Sequence, residues 1–247
     1  MIPDVLEIQG AKLHTKADRI CTSVMGILDK AARGPLPFEP ESLPVWEKIC
    51  SEPGAIVLDV GAYSGLFSIV AKKAGADVIA FEPMERNRIR FWENMKLNGF
   101  DMKARPEAVS DKVGSTIIHT NLKVTGLSSG SSIVKKVGRD DVKVPTITID
   151  SLELEKVTAI KIDVERAEPL VLKGALRTLE RCRPILLLEV LGEEEAVAVT
   201  NVLDGSGYWV DRYLDRRNWL LRPREGSGAR RGAGGLSTSQ EAHECAP

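Results

Sequence analysis

From Ala55 onward, short apolar runs alternate with stretches in which apolar side chains recur every three or four positions. AIVLDV (55–60) is a nearly continuous apolar run that stops at Gly61, the pattern of a strand buried on both faces of a parallel sheet. LFSIVAKKAG (66–75) has helical spacing and a closing glycine, DVIAFE (77–82) reads as the next strand, and ERNRIRFWENMKLNG (85–99) as an amphipathic helix ending at Gly99. KARPEAV (103–109) is a weaker third strand. STIIHT (115–120) and VKVPTITI (142–149) predict an extra strand pair or irregular insert, joined through the Ser/Gly-rich loop GLSSGSS. AIKID (159–163) is again a buried strand, EPLVLKGALRTLERC (168–182) its helix, PILLLEV (184–190) another strand and EEEAVAVTNVL (193–203) another helix. YWVDRYLDRRNWLL (208–221) is two apolar runs about a polar turn, hence a β-hairpin.

These elements predict a Rossmann-like α/β domain over residues 51–222: a mostly parallel seven-stranded sheet, a C-terminal antiparallel hairpin and helices on both faces. Residues 1–50 form an N-terminal cap, with a helix over Ala17 to Ala32, a Pro-rich joint GPLPFEPESLP and a short helix at Val45 to Cys50. The prolines remove backbone donors and fix φ, so the joint is expected to be an extended connector laid over the domain. Residues 223–247, rich in Gly, Ser and Arg, have almost nothing to bury and are expected to be a disordered tail.

The chain of 247 residues carries 34 Lys and Arg against 35 Asp and Glu, so no global field argues for nucleic acid or an anionic membrane. Cys21, Cys50, Cys182 and Cys245 lie far apart without a C-x-x-C pair, which fits a reducing compartment and neither a zinc site nor a disulfide framework. The N-terminus lacks the apolar run of a signal peptide and no stretch approaches a membrane span, so a soluble, cytoplasmic protein is expected.

Chemistry concentrates where predicted strands end. In VLDVGAYSG, Gly61 and Gly65 allow a tight turn and let a ligand approach the backbone, and the following helix starts with free N–H groups. Glu82 ends the next strand, twenty-three positions after Asp59, where a carboxylate can accept hydrogen bonds from both hydroxyls of a ribose. Dinucleotide enzymes use a similar geometry with G-x-G-x-x-G; here Tyr63 replaces the middle glycine and Asp59 stands just before the turn. A carboxylate repels a pyrophosphate and attracts the ammonium of a methionine moiety, so the sign of charge favours S-adenosylmethionine over NAD. D-x-G-x-x-x-G alone is a weak signal, equally at home in a turn that binds nothing. Its pairing with Glu82 on consecutive strands is much more specific.

A second cluster follows AIKID: Asp163, then Glu165, Arg166 and Glu168. Strand ends line the crevice of open α/β sheets. Acidic residues in a first helical turn are favoured by the helix dipole without any catalysis, whereas Asp163 ends a buried strand and must find a polar or charged partner.

At these positions the chain resembles the FkbM family of S-adenosylmethionine-dependent methyltransferases. The stretches VLDVGAYSGLFS, VIAFEPMERN with ENMKLNG, EAVSDKVG, VPTITIDSL and IKIDVERAEPLVLKGA with LLLEV come in family order over roughly residues 55–190, and IKIDVE-x-AE is the most specific piece. The resemblance implies the class I methyltransferase fold, with Asp59, Gly61, Tyr63 and Gly65 shaping the methionine side of the cofactor site and Glu82 holding the ribose. It also places Ser110 and Asp111 near the adenine, and Asp163 and Glu165 as the catalytic candidates where donor and acceptor meet. Two departures stand out: the family has Asn where this chain has Tyr63, and Gly where it has Arg166.

The expected reaction is O-methylation of a hydroxyl on a sugar or small secondary metabolite, with Asp163 or Glu165 orienting or deprotonating the acceptor. A non-catalytic nucleotide- or protein-binding module and an NAD-dependent oxidoreductase are the alternatives; the latter lacks G-x-G-x-x-G and a Tyr-x-x-x-Lys pair. His119 is read as a structural strand histidine rather than a base. No metal is expected at Asp163, Glu165 and Glu168, because Arg166 competes for them. The partner is a small-molecule acceptor, with neither nucleic acid nor membrane.

Overall fold

Apolar side chains on both faces of the central strands require helices on both sides, and this demand organises the domain. The computed structural model describes residues 5–14, 39–120, 132–134 and 140–224. A hairpin of β1 (Val5–Ile8) and β2 (Ala11–His14) comes first, followed by α1 (Ser42–Cys50). The sequence pattern finds α1 from Val45 and misses the hairpin; the helix expected over 17–32 lies outside the described residues. Next come β3 (Ile56–Val60), α2 (Leu66–Ala74), β4 (Asp77–Phe81) and α3 (Glu85–Leu97). Then follow β5 (Ala108–Val109), β6 (Gly114–Thr120), β7 (Asp140–Ile147) and β8 (Ala159–Ile162). The chain continues through α4 (Glu168–Lys173), α5 (Leu176–Cys182), β9 (Ile185–Glu189), α6 (Glu193–Leu203), β10 (Tyr208–Leu214) and β11 (Asn218–Pro223).

The main sheet has six strands in the order β10-β11-β9-β8-β3-β4, of which β9, β8, β3 and β4 run parallel and the C-terminal hairpin runs antiparallel. The expected seventh strand, 103–109, does not form a full ladder. Arg105 makes one bridge to Phe81, its N–H donating to Ala80 O at 2.8 Å and its carbonyl accepting from Glu82 N–H at 2.9 Å. Beyond this bridge the chain leaves for a separate three-stranded sheet, β5-β7-β6, built on the predicted pairing of 115–120 with 142–149.

The segment 168–182 is two helices rather than one. Gly174 divides them: its carbonyl accepts Asp150 N–H at 2.9 Å, and a Cβ on it would lie 2.1 Å from Ser110 O. Asp150 then accepts the N–H groups of Arg177 and Thr178, capping α5 from outside the helix.

Strand alternation divides the core between the two faces. Val57, Ala159, Leu187 and Leu220 face α1 and α2, together with Trp46, Ile69 and Phe91. Leu58, Ile160, Ile162, Leu186 and Leu188 face Val171, Leu179 and Val199 of α4, α5 and α6. Each fully buried Leu or Ile contributes about 1.5–3 kcal/mol. On α3, the Oδ1 atoms of Asn94 and Asn98 accept the N–H groups of His14 and Lys12, fixing the N-terminal hairpin, and Asn94 Nδ2 donates to Ser64 O in the glycine turn. No helix among the described residues is long and apolar enough to cross a membrane.

Candidate active site at the carboxyl ends of the parallel strands

Between β3 and α2 the chain reverses through Gly61, Tyr63 and Gly65, at φ values of 80°, 50° and 92°. Gly61 is required by packing: a Cβ there would sit 1.9 Å from Asp163 O. The close approach thus joins the β3 turn to the loop after β8. Glu82, just beyond β4, is 5% exposed. Its Oε2 accepts Tyr63 N–H at 2.9 Å, and its Oε1 accepts Met84 N–H at 2.8 Å and Asn87 Nδ2 at 3.2 Å. Burial pushes its carboxyl up to about 7, opposed by these donors.

A row of charged side chains crosses the sheet on the α2 face. Asp59 on β3 is in register with Lys161 on β8, and Glu189 on β9 is in register with Asn218 on β11. Asp163 stands two residues beyond Lys161 and therefore on the same face. Its carboxylate lies 3.1 Å from Lys161 Nζ, which supplies the partner that a buried strand end needs. Lys161 Nζ also sits 4.7 Å from the centroid of the Phe67 ring. Burial alone would push the ammonium down, but the carboxylates of Asp163, Asp59 and Glu39 outweigh it and hold its pKa above the usual lysine range. Asp59 is fully buried; burial raises its pKa, while Lys161 and the hydroxyl donated by Ser68 lower it. Glu189 is raised by burial and by Asp163, to which it is hydrogen-bonded.

The loop from Asp163 to Glu168 has two consecutive left-handed residues, Glu165 at φ 55° and Arg166 at φ 79°. Glu165 O accepts the Ser132 hydroxyl at 2.7 Å, and Glu168 Oε1 accepts Val164 N–H at 2.8 Å, closing the loop onto α4. Both departures from the family pattern, Tyr63 and Arg166, therefore fall at left-handed φ, where Asn and Gly are the least strained residues.

These groups surround a cavity of about 400 Å³. Of the residues singled out in the sequence, Gly61, Tyr63, Glu82, Asp163 and Glu165 line it. Asp59 and Gly65 lie behind the lining: Asp59 reaches the cavity through Lys161, and Gly65 backs onto the Phe91 ring. Ser110 and Asp111 do not line it; Ser110 packs against Gly174, and the neighbouring Glu107, Ala108 and Val109 line the cavity instead. His119 is in the small sheet, outside the cavity lining, with Nδ1 2.7 Å from Asp141. Among the described residues no group of three or more His, Cys, Asp or Glu side chains is arranged to hold a metal ion.

Five charged lining residues escape the sequence reading: Glu39, Glu107, Lys161, Glu189 and Arg217. Glu39 comes from the Pro-rich joint, accepts Asn218 Nδ2 at 3.3 Å and is pushed up to about 7 by burial. Period-two alternation from Asp163 marks Lys161; nothing in the sequence marks Glu39.

Residues 59–221, from Asp59 on β3 into β11, match the Methyltransferase FkbM domain. The chain belongs to the FkbM methyltransferase family. Its α/β domain is Rossmann-like, with six strands in the main sheet. Among solved structures it is similar to the FkbM methyltransferase of Methylobacillus flagellatus KT, with 17% identity and a TM-score of 0.47 over 68% of this chain and 43% of that one. The chain thus spans less than half the length of that relative. It is also similar to the O-methyltransferase of Bacillus cereus, solved with SAH, at 12% identity and a TM-score of 0.46 over 81% and 90% of the two chains. A SAM-dependent methyltransferase from Aquifex aeolicus is 18% identical, with a TM-score of 0.45 over 83% and 98%. No curated protein sequence matches this FkbM family member.

Proposed function

We propose that the chain is an S-adenosylmethionine-dependent methyltransferase that methylates a hydroxyl on a sugar or small secondary metabolite. The observation that carries this reading is Glu82, a buried strand-end carboxylate fixed by three donors and lining the same cavity as Asp163 and Glu165. The donor set fits the cofactor. A carboxylate at the tip of the second strand can accept from both ribose hydroxyls, and the Gly61 turn brings backbone to the cavity wall. Bound there, S-adenosylmethionine supplies a methyl group on a sulfonium, with a neutral thioether as leaving group.

The protein's contribution is positioning and proton handling. Lys161 fixes Asp163 at the wall of the cavity, and Glu189, hydrogen-bonded to Asp163, forms a second acidic contact. Asp163 or Glu165 orients the acceptor hydroxyl and takes up its proton. The remaining carboxylates suit an acceptor rich in hydrogen-bond donors, as a sugar is.

Asp163→Asn and Glu165→Gln, assayed with a labelled methyl donor against a panel of hydroxylated sugars and metabolites, test this assignment. At least one of them is expected to lose about tenfold or more in turnover while S-adenosylhomocysteine affinity is kept. Full turnover in both, with binding unchanged, would overturn it.

A further inference from the structure

The motif IKIDVE-x-AE ends in Glu168, a carboxylate that the proposed chemistry does not use. Glu168 is fully buried, and its Oε1 accepts Val164 N–H at 2.8 Å. On α6, which packs against α4, Glu195 is 5% exposed and its Oε2 accepts Leu191 N–H at 2.9 Å. Each carboxylate thus fastens one loop behind a cavity residue: Val164 precedes Glu165, and Leu191 follows Glu189 and Val190.

The remaining oxygens, Glu168 Oε2 and Glu195 Oε1, are buried and find no donor among the described residues except each other. Two ionised carboxylates cannot hydrogen-bond, because both are acceptors only. With one proton between them they form a strong charge-assisted bond, and each keeps an oxygen for its loop N–H. Glu193 and Glu194 share the first turn of α6 but are exposed, and the Arg166 guanidinium lies near Gly192, with Nη1 3.9 Å from where a Cβ would stand. The largest influences on the Glu168 carboxyl are burial, Glu195 and backbone donors, with no cation among them.

We infer that Glu168 and Glu195, joined by one shared proton, form a latch between α4 and α6 that holds the loop carrying Glu165 and the loop that follows Glu189 in register at the acceptor end of the cavity. Both are positioning residues, since neither lines the cavity. Ionisation of the pair sets two buried negative charges against each other and drives the two loops apart. Burial and Glu195 raise the pKa of Glu168, in keeping with a proton retained at neutral pH. The inference rests on the proposed function only for what the latch serves.

Glutamine substitution separates the shared proton from packing. In Glu168→Gln or Glu195→Gln one amide N–H₂ takes over the bridging hydrogen bond and the amide oxygen keeps the loop contact, so no proton is needed. Urea unfolding of the full chain between about pH 6 and pH 8 reads this directly. The wild-type unfolding constant is expected to rise with pH more steeply than that of either single variant, by up to about tenfold per pH unit. The double variant Glu168→Gln/Glu195→Gln places amide against amide, and is expected to be about tenfold or more less stable than the sum of the singles predicts. Parallel slopes in wild type and both singles, or additive behaviour of the double variant, would overturn the latch. In methyl-transfer assays the single variants are expected to keep their kcat at alkaline pH where wild type declines. An equal decline would show that the pair does not hold the site. The urea arm uses no ligand, so if no protein transfers methyl groups while the unfolding slopes differ, the proposed function fails and the latch stands.

Discussion

Asp59 and Lys161 sit directly opposite each other on the parallel strands β3 and β8, both buried and both on the face covered by α2. A carboxylate and an ammonium taken out of water in this way are tolerable only as partners. Lys161 serves Asp163 and Glu39 as well, so one cation offsets several acids in the wall of the cavity.

Lys161→Met removes that cation and leaves its carboxylates facing one another. A loss of about 3 kcal/mol of stability is expected near neutral pH, and a smaller one near pH 5, where the orphaned carboxyls take up protons. Urea unfolding at the two pH values checks it.

With Glu82 in the proposed ribose role, stability and cofactor affinity are expected to move in opposite directions with pH. Its carboxyl is raised from 4.5 to about 7, so its contribution to stability is fully present below the lower value and is lost as pH rises through the higher one. In the proposed role the ionised carboxylate accepts from the ribose hydroxyls. S-adenosylhomocysteine affinity is therefore expected to fall by up to about tenfold per pH unit as pH drops below about 7. Calorimetric titration over that range reads the slope, and a flat profile would remove Glu82 from the ribose site.

Three glycines with different surroundings separate packing from backbone strain. Gly61→Ala meets Asp163 O at 1.9 Å and Gly174→Ala meets Ser110 O at 2.1 Å, both backbone atoms that cannot step aside. Each is expected to cost about 3 kcal/mol or more. Gly75→Ala, at the end of α2, meets nothing within 4 Å and is expected to lose only the left-handed penalty of about 1–2 kcal/mol. Thermal unfolding of the three variants gives the ranking.

The alternation of buried strands and amphipathic helices from Ala55 to Leu203 was legible because burial on one or both faces leaves its period in the sequence. The break at Gly174 was not, since what splits the helix is Ser110, more than sixty positions earlier. The seventh strand stops after the single bridge from Arg105 to Phe81, a break that the apolar pattern of 103–109 does not show. At the site, Glu82 and Asp163 could be found as strand ends. Lys161 hid inside an apolar strand, and Glu39 could not be placed before the Pro-rich joint was folded against Asn218.

Arg166 occupies a left-handed position at φ 79° without lining the cavity. Arg166→Gly is expected to stabilise the chain by about 1 kcal/mol through relief of that strain. Tyr63→Asn, at φ 50°, relieves strain too but changes the cavity lining, so it is expected to alter ligand affinity as well as stability. Paired unfolding and titration experiments on the two variants distinguish them.

Calorimetric titration of the full chain with S-adenosylhomocysteine and with NAD tests the central claim most directly. One equivalent of S-adenosylhomocysteine is expected to bind, NAD to give no heat, and Glu82→Gln, shown by circular dichroism to be folded, to weaken binding by about tenfold or more. Binding of NAD, or no S-adenosylhomocysteine binding by the folded wild-type chain, would contradict the account.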